Sequence, residues 1–475
     1  MKTFVKNLIL LAALTFANSA TAYDFMVDSL AYNINSDGKS VSVTCDTTAS
    51  TNYPNLYGVV SIPSTVKYNK KTYKVTAIGD YAFNGCTGLT GVDIPETIEY
   101  IRSHSFSFCQ NLTEIVIPDN VIGLGSYSFE GCIGLKKLSI GSKVSAINGV
   151  FKGCTGLTEL IWNPVNCFDM GDFPKENISS LSIGPKVEVI PYIFLSGSKI
   201  TSLTVPNSVI SIQSCAFADC GELTDVVIGN AVSVIGSEAF SGCSKLTRLT
   251  IGESVNSIDD EAFSGCSNLA ELTWNAIDCR FYDRNIPKNA INRVTIGSKV
   301  KKIPDYFLDG SLITNVILPN SVTTVGESAF AGCAELTDIV IGKTVNVIGE
   351  NAFAGCVDVT KISCYPSKVP SIASNTFFEI NKNVCELHVL AGCYQSYRDA
   401  DYWNQFYIII EDLEVPMVPG DVNGDENVNV SDVTTLVNMI LGIVDKDEQA
   451  ADVNGDGKIN VSDVTALINI ILGIK

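Results

Sequence analysis

Two histidines serve the entire 475-residue chain, His104 and His388, and hundreds of positions separate them. Neither falls in H-E-x-x-H or any other zinc spacing. No G-x-S-x-G elbow, P-loop or G-x-G-x-x-G after a strand occurs, and every carboxylate pair belongs to a repeated ladder or to a loop near the C-terminus. These absences remove the usual constellations for nucleophilic hydrolysis, phosphoryl transfer and dinucleotide chemistry, so the chain is expected not to be an enzyme. Positive charge is also scarce. There are 32 Lys and Arg against 51 Asp and Glu, a formal net charge of −19, which leaves no electrostatic footprint for nucleic acid or anionic lipid. Of that charge, −10 lies in 411–475, where 13 acidic residues face 3 basic ones. Beyond the first residues nothing approaches the ~18 consecutive apolar residues of a membrane span.

The start of the chain reads as an export signal. Lys2 and Lys6 precede an apolar run from Leu8 to Phe16, and Ala20-Thr21-Ala22 forms a small-x-small cleavage site. Residues 1–22 are thus the expected signal peptide and Tyr23 the mature N-terminus. No Cys follows the site, which argues against a lipid anchor. The expected localisation is secreted, extracellular or cell-surface associated.

Between residues 80 and 365 one motif returns: Ala82-Phe-Asn-Gly-Cys86, Ala239-Phe-Ser-Gly-Cys243, Ala262-Phe-Ser-Gly-Cys266, Ala352-Phe-Ala-Gly-Cys356. Its Phe ladder is Phe83, Phe106, Phe129, Phe151, Phe217, Phe240, Phe263, Phe330 and Phe353, mostly in steps of 23, with Phe194 and Phe307 standing in across two irregular stretches. After each motif comes a short alternating segment such as Leu223-Thr-Asp-Val-Val-Ile228, which indicates a strand with one face inward. The A-F-x-G-C part reads as a tight or helical turn. One unit cannot bury its own apolar face and stacked units can, which predicts a solenoid. A longer duplication lies above the short one: Phe151–Phe240 matches Phe263–Phe353, with Trp162 against Trp274 and Cys167 against Cys279.

This template resembles the BspA-type leucine-rich repeats of bacterial surface proteins. The resemblance covers about 23–410: an N-terminal capping segment (23–79), the repeat array (80–365) and a C-terminal cap (366–410). Strand positions pointing outward form a Thr ladder (Thr90, Thr113, Thr158, Thr201, Thr224, Thr247, Thr314, Thr337, Thr360) beside a ladder of alternating charge that includes Glu114, Lys137, Glu159, Asp225, Arg248 and Glu271. The first is read as β-propensity with mutual hydroxyl bonding and the second as cross-strand pairing. About a dozen coils at ~4.8 Å each give a face of about 60 Å. With almost no aromatic rings in these ladders, the expected ligand is a protein rather than a glycan. Trp162 and Trp274 are read as core or coil-edge residues, and the two His as surface or capping residues. Nine of the 16 Cys sit three residues after the ladder Phe. Parallel side chains in adjacent coils do not converge as a disulfide requires, so these are expected to be buried free thiols. Cys385 and Cys393 are the better disulfide candidates.

Residues 411–418 contain Pro416 and break the pattern, which marks a linker. Beyond it a twelve-residue loop occurs twice: Asp421-Val-Asn-Gly-Asp-Glu-Asn-Val-Asn-Val-Ser-Asp432 and Asp452-Val-Asn-Gly-Asp-Gly-Lys-Ile-Asn-Val-Ser-Asp463. Oxygen-bearing side chains at loop positions 1, 3, 5, 9 and 12 match the EF-hand ligand spacing. Each loop leads into an amphipathic helix, with Val433, Leu436, Val437, Ile440 and Leu441 on one stripe and Val464, Leu467, Ile468, Ile471 and Leu472 on the other. So small a core leaves part of the folding free energy to the metal.

Residues 419–475 resemble a type I dockerin. The resemblance implies two Ca²⁺ ions. One would be held by Asp421, Asn423, Asp425, Asn427 (main-chain carbonyl), Asn429 and Asp432, the other by Asp452, Asn454, Asp456, Lys458 (main-chain carbonyl), Asn460 and Asp463. Glu426 departs from the usual Gly at loop position 6, which Gly457 keeps, so weaker calcium binding is expected in the first loop. The resemblance also implies a cohesin-like partner, docking through Val430, Ser431, Val461 and Ser462, which repeat in both halves and suggest two docking orientations. The expected fold class is α+β: a right-handed leucine-rich-repeat solenoid of short parallel strands, followed by a small all-α dockerin domain. The expected function is a secreted, non-catalytic interaction or adhesion protein attached to a scaffold or surface through its tail. The alternative is an accessory subunit of a polysaccharide-degrading, cellulosome-like complex, contacting glycan or enzymes.

Overall fold

The computed structural model describes residues 23–45, 56–279, 286–414, 420–423, 428–444 and 448–472. The expected signal peptide and part of the first metal loop, including Asp425, Glu426 and Asn427, lie outside the described residues. Two compact units emerge: Met1–Leu387 with Gln395–Ile409, and His388–Tyr394 with Ile410–Lys475. The first is a solenoid of short parallel strands and the second contains a small helical region.

The solenoid opens with antiparallel strands. Phe25–Val27 pairs with Leu30–Ile34, which pairs with Ser40–Thr44. Their apolar side packs Phe25 against Tyr32 and Tyr68 at ring separations of 5.5 and 4.2 Å. Ser40–Thr44 then runs parallel to Lys71–Ile78, and that strand pairs in parallel with Tyr100–Ile101. The cap thus covers the end of the array with a sheet that changes from antiparallel to parallel.

Each coil contains the expected strand, for example Asp225–Val227, Arg248–Ile251 and Glu271–Trp274, in parallel and in register with its neighbours. A second, two-residue strand was missed by the sequence pattern. The V-x-x-I segment forms another parallel ladder, as in Val189–Ile190, Ser211–Ile212, Val234–Ile235 and Ser257–Ile258. Two residues are too few for alternation to register.

The A-F-x-G-C motif forms turns without a helix. The residue before Ala-Phe is left-handed in coil after coil, with φ of 57° at Tyr81, 56° at Glu238 and 59° at Glu261. Non-glycine residues rarely adopt this conformation. Here it aims main-chain N–H groups at the next coil: Phe83 donates to Ser105 at 2.6 Å, Phe106 to Ser128 at 2.7 Å and Phe217 to Ala239 at 2.7 Å. The motif Gly is also left-handed in most coils, with φ of 72° at Gly85 and 75° at Gly242.

Inside, the Phe ladder is a column of stacked rings. Centroids lie 5.0 Å apart for Phe83–Phe106, 5.1 Å for Phe106–Phe129, 5.4 Å for Phe217–Phe240 and 5.1 Å for Phe240–Phe263. Phe194 and Phe307 do stand in across the irregular stretches. They join edge-on, each against a fully buried Trp, in the pairs Trp162–Phe194 (4.7 Å) and Trp274–Phe307 (5.0 Å). Both Trp are therefore core residues. The column ends at Phe377 on Trp403, 5.3 Å away.

The ladder thiols are buried beside the rings, and their register gives each an acceptor. Cys109 Sγ donates to the carbonyl of Phe83 at 3.1 Å, Cys132 to Phe106 at 3.1 Å and Cys266 to Phe240 at 3.2 Å. Burial pushes the Cys86 thiol up to about 12. Cys385 and Cys393, the better disulfide candidates, are corrected: neither forms a disulfide, and each thiol is buried. The Thr ladder is corrected in its bonding. Thr224 Oγ1 donates to the main-chain carbonyl of Thr201 at 3.0 Å, and Thr247 to that of Thr224 at 3.1 Å, because parallel register sets each hydroxyl over a carbonyl. The histidines are corrected in part. His104 is stacked between Tyr81 and Tyr127, and His388 is buried with its Nδ1 2.8 Å from an Asp412 oxygen.

Candidate functional site

The outward charges of the strand face pair with one another. Lys137 lies between Glu114 (3.5 Å) and Glu159 (3.6 Å), Arg293 reaches Glu271 (3.6 Å), and Arg248 bridges to Asp225. Flanking carboxylates push the Lys137 pKa up. These positions are directly opposite in the parallel register, so the face is close to self-neutral.

The tail places one buried carboxylate at each of its two loop–helix junctions. The first tail helix, Val430–Ile440, starts with a capping box: Asn429 accepts from Ser431 N at 2.8 Å, and Asp432 accepts from Asn429 N at 2.8 Å. Asp432 is fully buried and also accepts from the N–H groups of Val422 (2.9 Å) and Asn423 (3.1 Å). Its counterpart Asp463, at the start of Val461–Leu472, is equally buried and accepts from Asn454 N (3.2 Å) and Asn460 N (2.9 Å). In the second loop Asp452 accepts from Asp456 N (3.0 Å) and Gly457 N (2.8 Å), Asn454 from Asp456 N (2.8 Å), and Asp456 from Lys458 N (2.9 Å). Gly457 holds the turn with φ of +77°.

Among the described residues no three His, Cys, Asp or Glu converge as a metal cluster. The described loop residues offer side-chain amide oxygens as well as carboxylates, the donor class of a hard cation such as Ca²⁺. Burying Asp432 and Asp463 in a segment with three basic residues is costly unless a cation compensates. The residues present therefore fit a bound divalent ion.

The helical core consists of Val422, Leu436, Met439, Ala451 and Leu467, with Val433, Ile440, Val464 and Ile471 packed around it. The two stripes read from the sequence were too wide. Val437 and Ile468 are 37% and 40% exposed, and Leu441 and Leu472 are 66% and 64% exposed. Val430 and Val461 are each 70% exposed, and Ser431, Ser462, Thr434 and Thr465 are exposed as well. Each helix thus presents the same outward row: Val430, Thr434, Val437, Leu441 in one, and Val461, Thr465, Ile468, Leu472 in the other. Sequence spacing flagged only the first of each row. The last two fall within the apolar stripe of the sequence, because i+4 and i+8 neighbours lie at the margin of a buried stripe.

A solenoid of stacked parallel-strand coils and a duplicated loop–helix tail define a repeat protein with an appended docking-type module. Comparison with known families matches the BspA type leucine rich repeat region over 76–198, 188–311 and 284–384, and the dockerin type I domain over 419–472. The chain belongs to the BspA-type leucine-rich repeat family. A leucine-rich repeat protein from Bacteroides ovatus is similar at 27% identity, covering 80% of this chain and 97% of that one, with a TM-score of 0.39. A leucine rich cell surface protein from Faecalibacterium prausnitzii is 21% identical, covers 82% and 98%, and has a TM-score of 0.33. No curated protein matches.

Proposed function

We propose that the chain is a secreted, non-catalytic binding protein. Its leucine-rich solenoid holds a protein partner on the strand face, and its tail attaches it to a cohesin-bearing scaffold or surface. The division proposed is signal peptide 1–22, caps 23–79 and 366–410, array 80–365, linker 411–418 and docking module 419–475. In the tail, Asp421, Asn423, Asp425, Asn427, Asn429 and Asp432 hold one Ca²⁺, and Asp452, Asn454, Asp456, Lys458, Asn460 and Asp463 hold a second. When bound, calcium would supply positive charge beside the two buried carboxylates. The chain's own groups set the loops: the backbone N–H donors fix the carboxylates, and the paired helices present the docking surface.

The observation that carries this reading is the outward row repeated on both tail helices, with nearly equal exposure at each matched position. Matching rows give a partner two equivalent ways to dock, through Val430 and Ser431 or through Val461 and Ser462. The test is capture by a panel of immobilised cohesins, with calcium and with chelator. Calcium-dependent capture is expected. Either half altered alone should retain it, and all four positions altered together should abolish it. Capture that survives the quadruple change refutes the docking surface. The dockerin match also favours a second reading, an accessory subunit of a polysaccharide-degrading complex.

A further inference from the structure

The first three coils depart from the repeat in a way that neither the strand face nor the tail explains. Where the other described short strands carry small, aliphatic or Lys side chains, Tyr100–Ile101 places a tyrosine, and its in-register partner is Gly123. A Cβ on Gly123 would lie 2.9 Å from the Tyr100 ring, so the absent side chain lets the ring lie across the next strand. Tyr100 remains 44% exposed.

Beside the ring is an open cleft of about 340 Å³, lined by Asp80, Tyr100, Arg102, Ser103, Gly123 and Gly125 among others. Ser103 N–H donates to Asp80 Oδ1 at 3.0 Å, which fixes that carboxylate in the wall. Arg102 is exposed, and among the described residues no carboxylate pairs with its guanidinium. The chain leads from the cleft into a row of rings. Tyr81, His104 and Tyr127 stack at 4.8 and 5.3 Å, with Tyr81 and Tyr127 exposed. These rings stack on one another, and Tyr100 is the ring that lines the cleft itself.

We propose that this cleft is a binding site for a neutral carbohydrate. An aromatic ring offers an apolar face to sugar C–H groups, while a fixed carboxylate and a guanidinium fork hydrogen-bond paired hydroxyls. The cleft volume is at the low end of small-ligand sites. An anion is disfavoured, because Asp80 offsets Arg102 and the chain carries −19 overall. The open side of the cleft admits the end or a stretch of a longer glycan. This inference gives the second reading above a location, and its test needs neither cohesin nor calcium, so either can fail alone.

The test is affinity electrophoresis of the full chain through gels containing β-glucan, xylan, galactomannan or arabinan, with EDTA present throughout. Retardation by at least one polysaccharide is expected. Tyr100→Ala and Arg102→Ala should each weaken it at least ten-fold, and Gly123→Val should do so by lifting the ring. Thermal melts of the variants establish that the fold is intact, and Thr224→Ala on the strand face should leave retardation unchanged. No retardation by any of the four, or equal retardation of Tyr100→Ala, overturns the proposal.

Discussion

Replacing Phe240 with Ala tests the ring column most directly. Phe240 is fully buried, with rings 5.4 Å away on one side and 5.1 Å on the other, near-parallel at 14° and 3°. Removing a buried Phe side chain costs ~3–5 kcal/mol, the span depending on how far the site collapses. Collapse is limited here, because the coils above and below are tied by main-chain bonds such as Phe240 N to Ala262 O at 2.7 Å. The upper half of that range is therefore expected. In a linear array the loss falls on the adjoining coils first. Hydrogen exchange should show amides of about 215–265 losing protection by a factor of several hundred or more, while the N-terminal cap keeps its own. Exposed Phe168 is the control, and its Ala variant should stay within ~0.5 kcal/mol. A Phe240→Ala protein that loses less than ~1 kcal/mol, or exchanges uniformly faster along the whole chain, would refute the column as the local source of stability.

Native protein titrated with a thiol reagent near pH 8 should show reaction at no more than the partly exposed Cys45, Cys215 and Cys279, with the ladder thiols appearing only in denaturant. The ladder should also make the fold alkali-sensitive. Burial raises the folded pKa of Cys86 to about 12, whereas an unfolded thiol ionises near ~8.5. Stability from this source is complete below ~8.5 and is lost as pH climbs from there toward 12, which pH-dependent urea melts will display. Isothermal calorimetry should record two calcium uptake events, and Asp463→Ala should remove one; a single unchanged isotherm would count against the second loop. Lys137→Glu, which sets three carboxylates in a row, should lower the urea midpoint at low salt and lower it less at high salt.

The solenoid was legible because each of its structural demands recurs in sequence. The Phe and Cys positions must sit at fixed places for rings to stack and thiols to meet carbonyls, so their spacing writes the coil length directly. What escaped were features that a repeat does not mark. The V-x-x-I strand is too short for alternation. Tyr100 over Gly123 is a pairing between different coils, visible only once register is known. The tail helices were found from their loops, but five apolar positions in each stripe outnumber those that one small core can bury. Burial of His388 depends on Asp412, a partner that sequence spacing does not single out.

The main-chain ties that run from one turn to its successor carry a consequence for how such chains change over time. Because every coil answers only to its immediate neighbours, whole units of the frame can be inserted or lost at a seam without refitting the rest. The two blocks headed by Trp162 and Trp274 bear the mark of such an event. Reach is thus the property this architecture varies most freely, while the caps and the tail module can stay as they are.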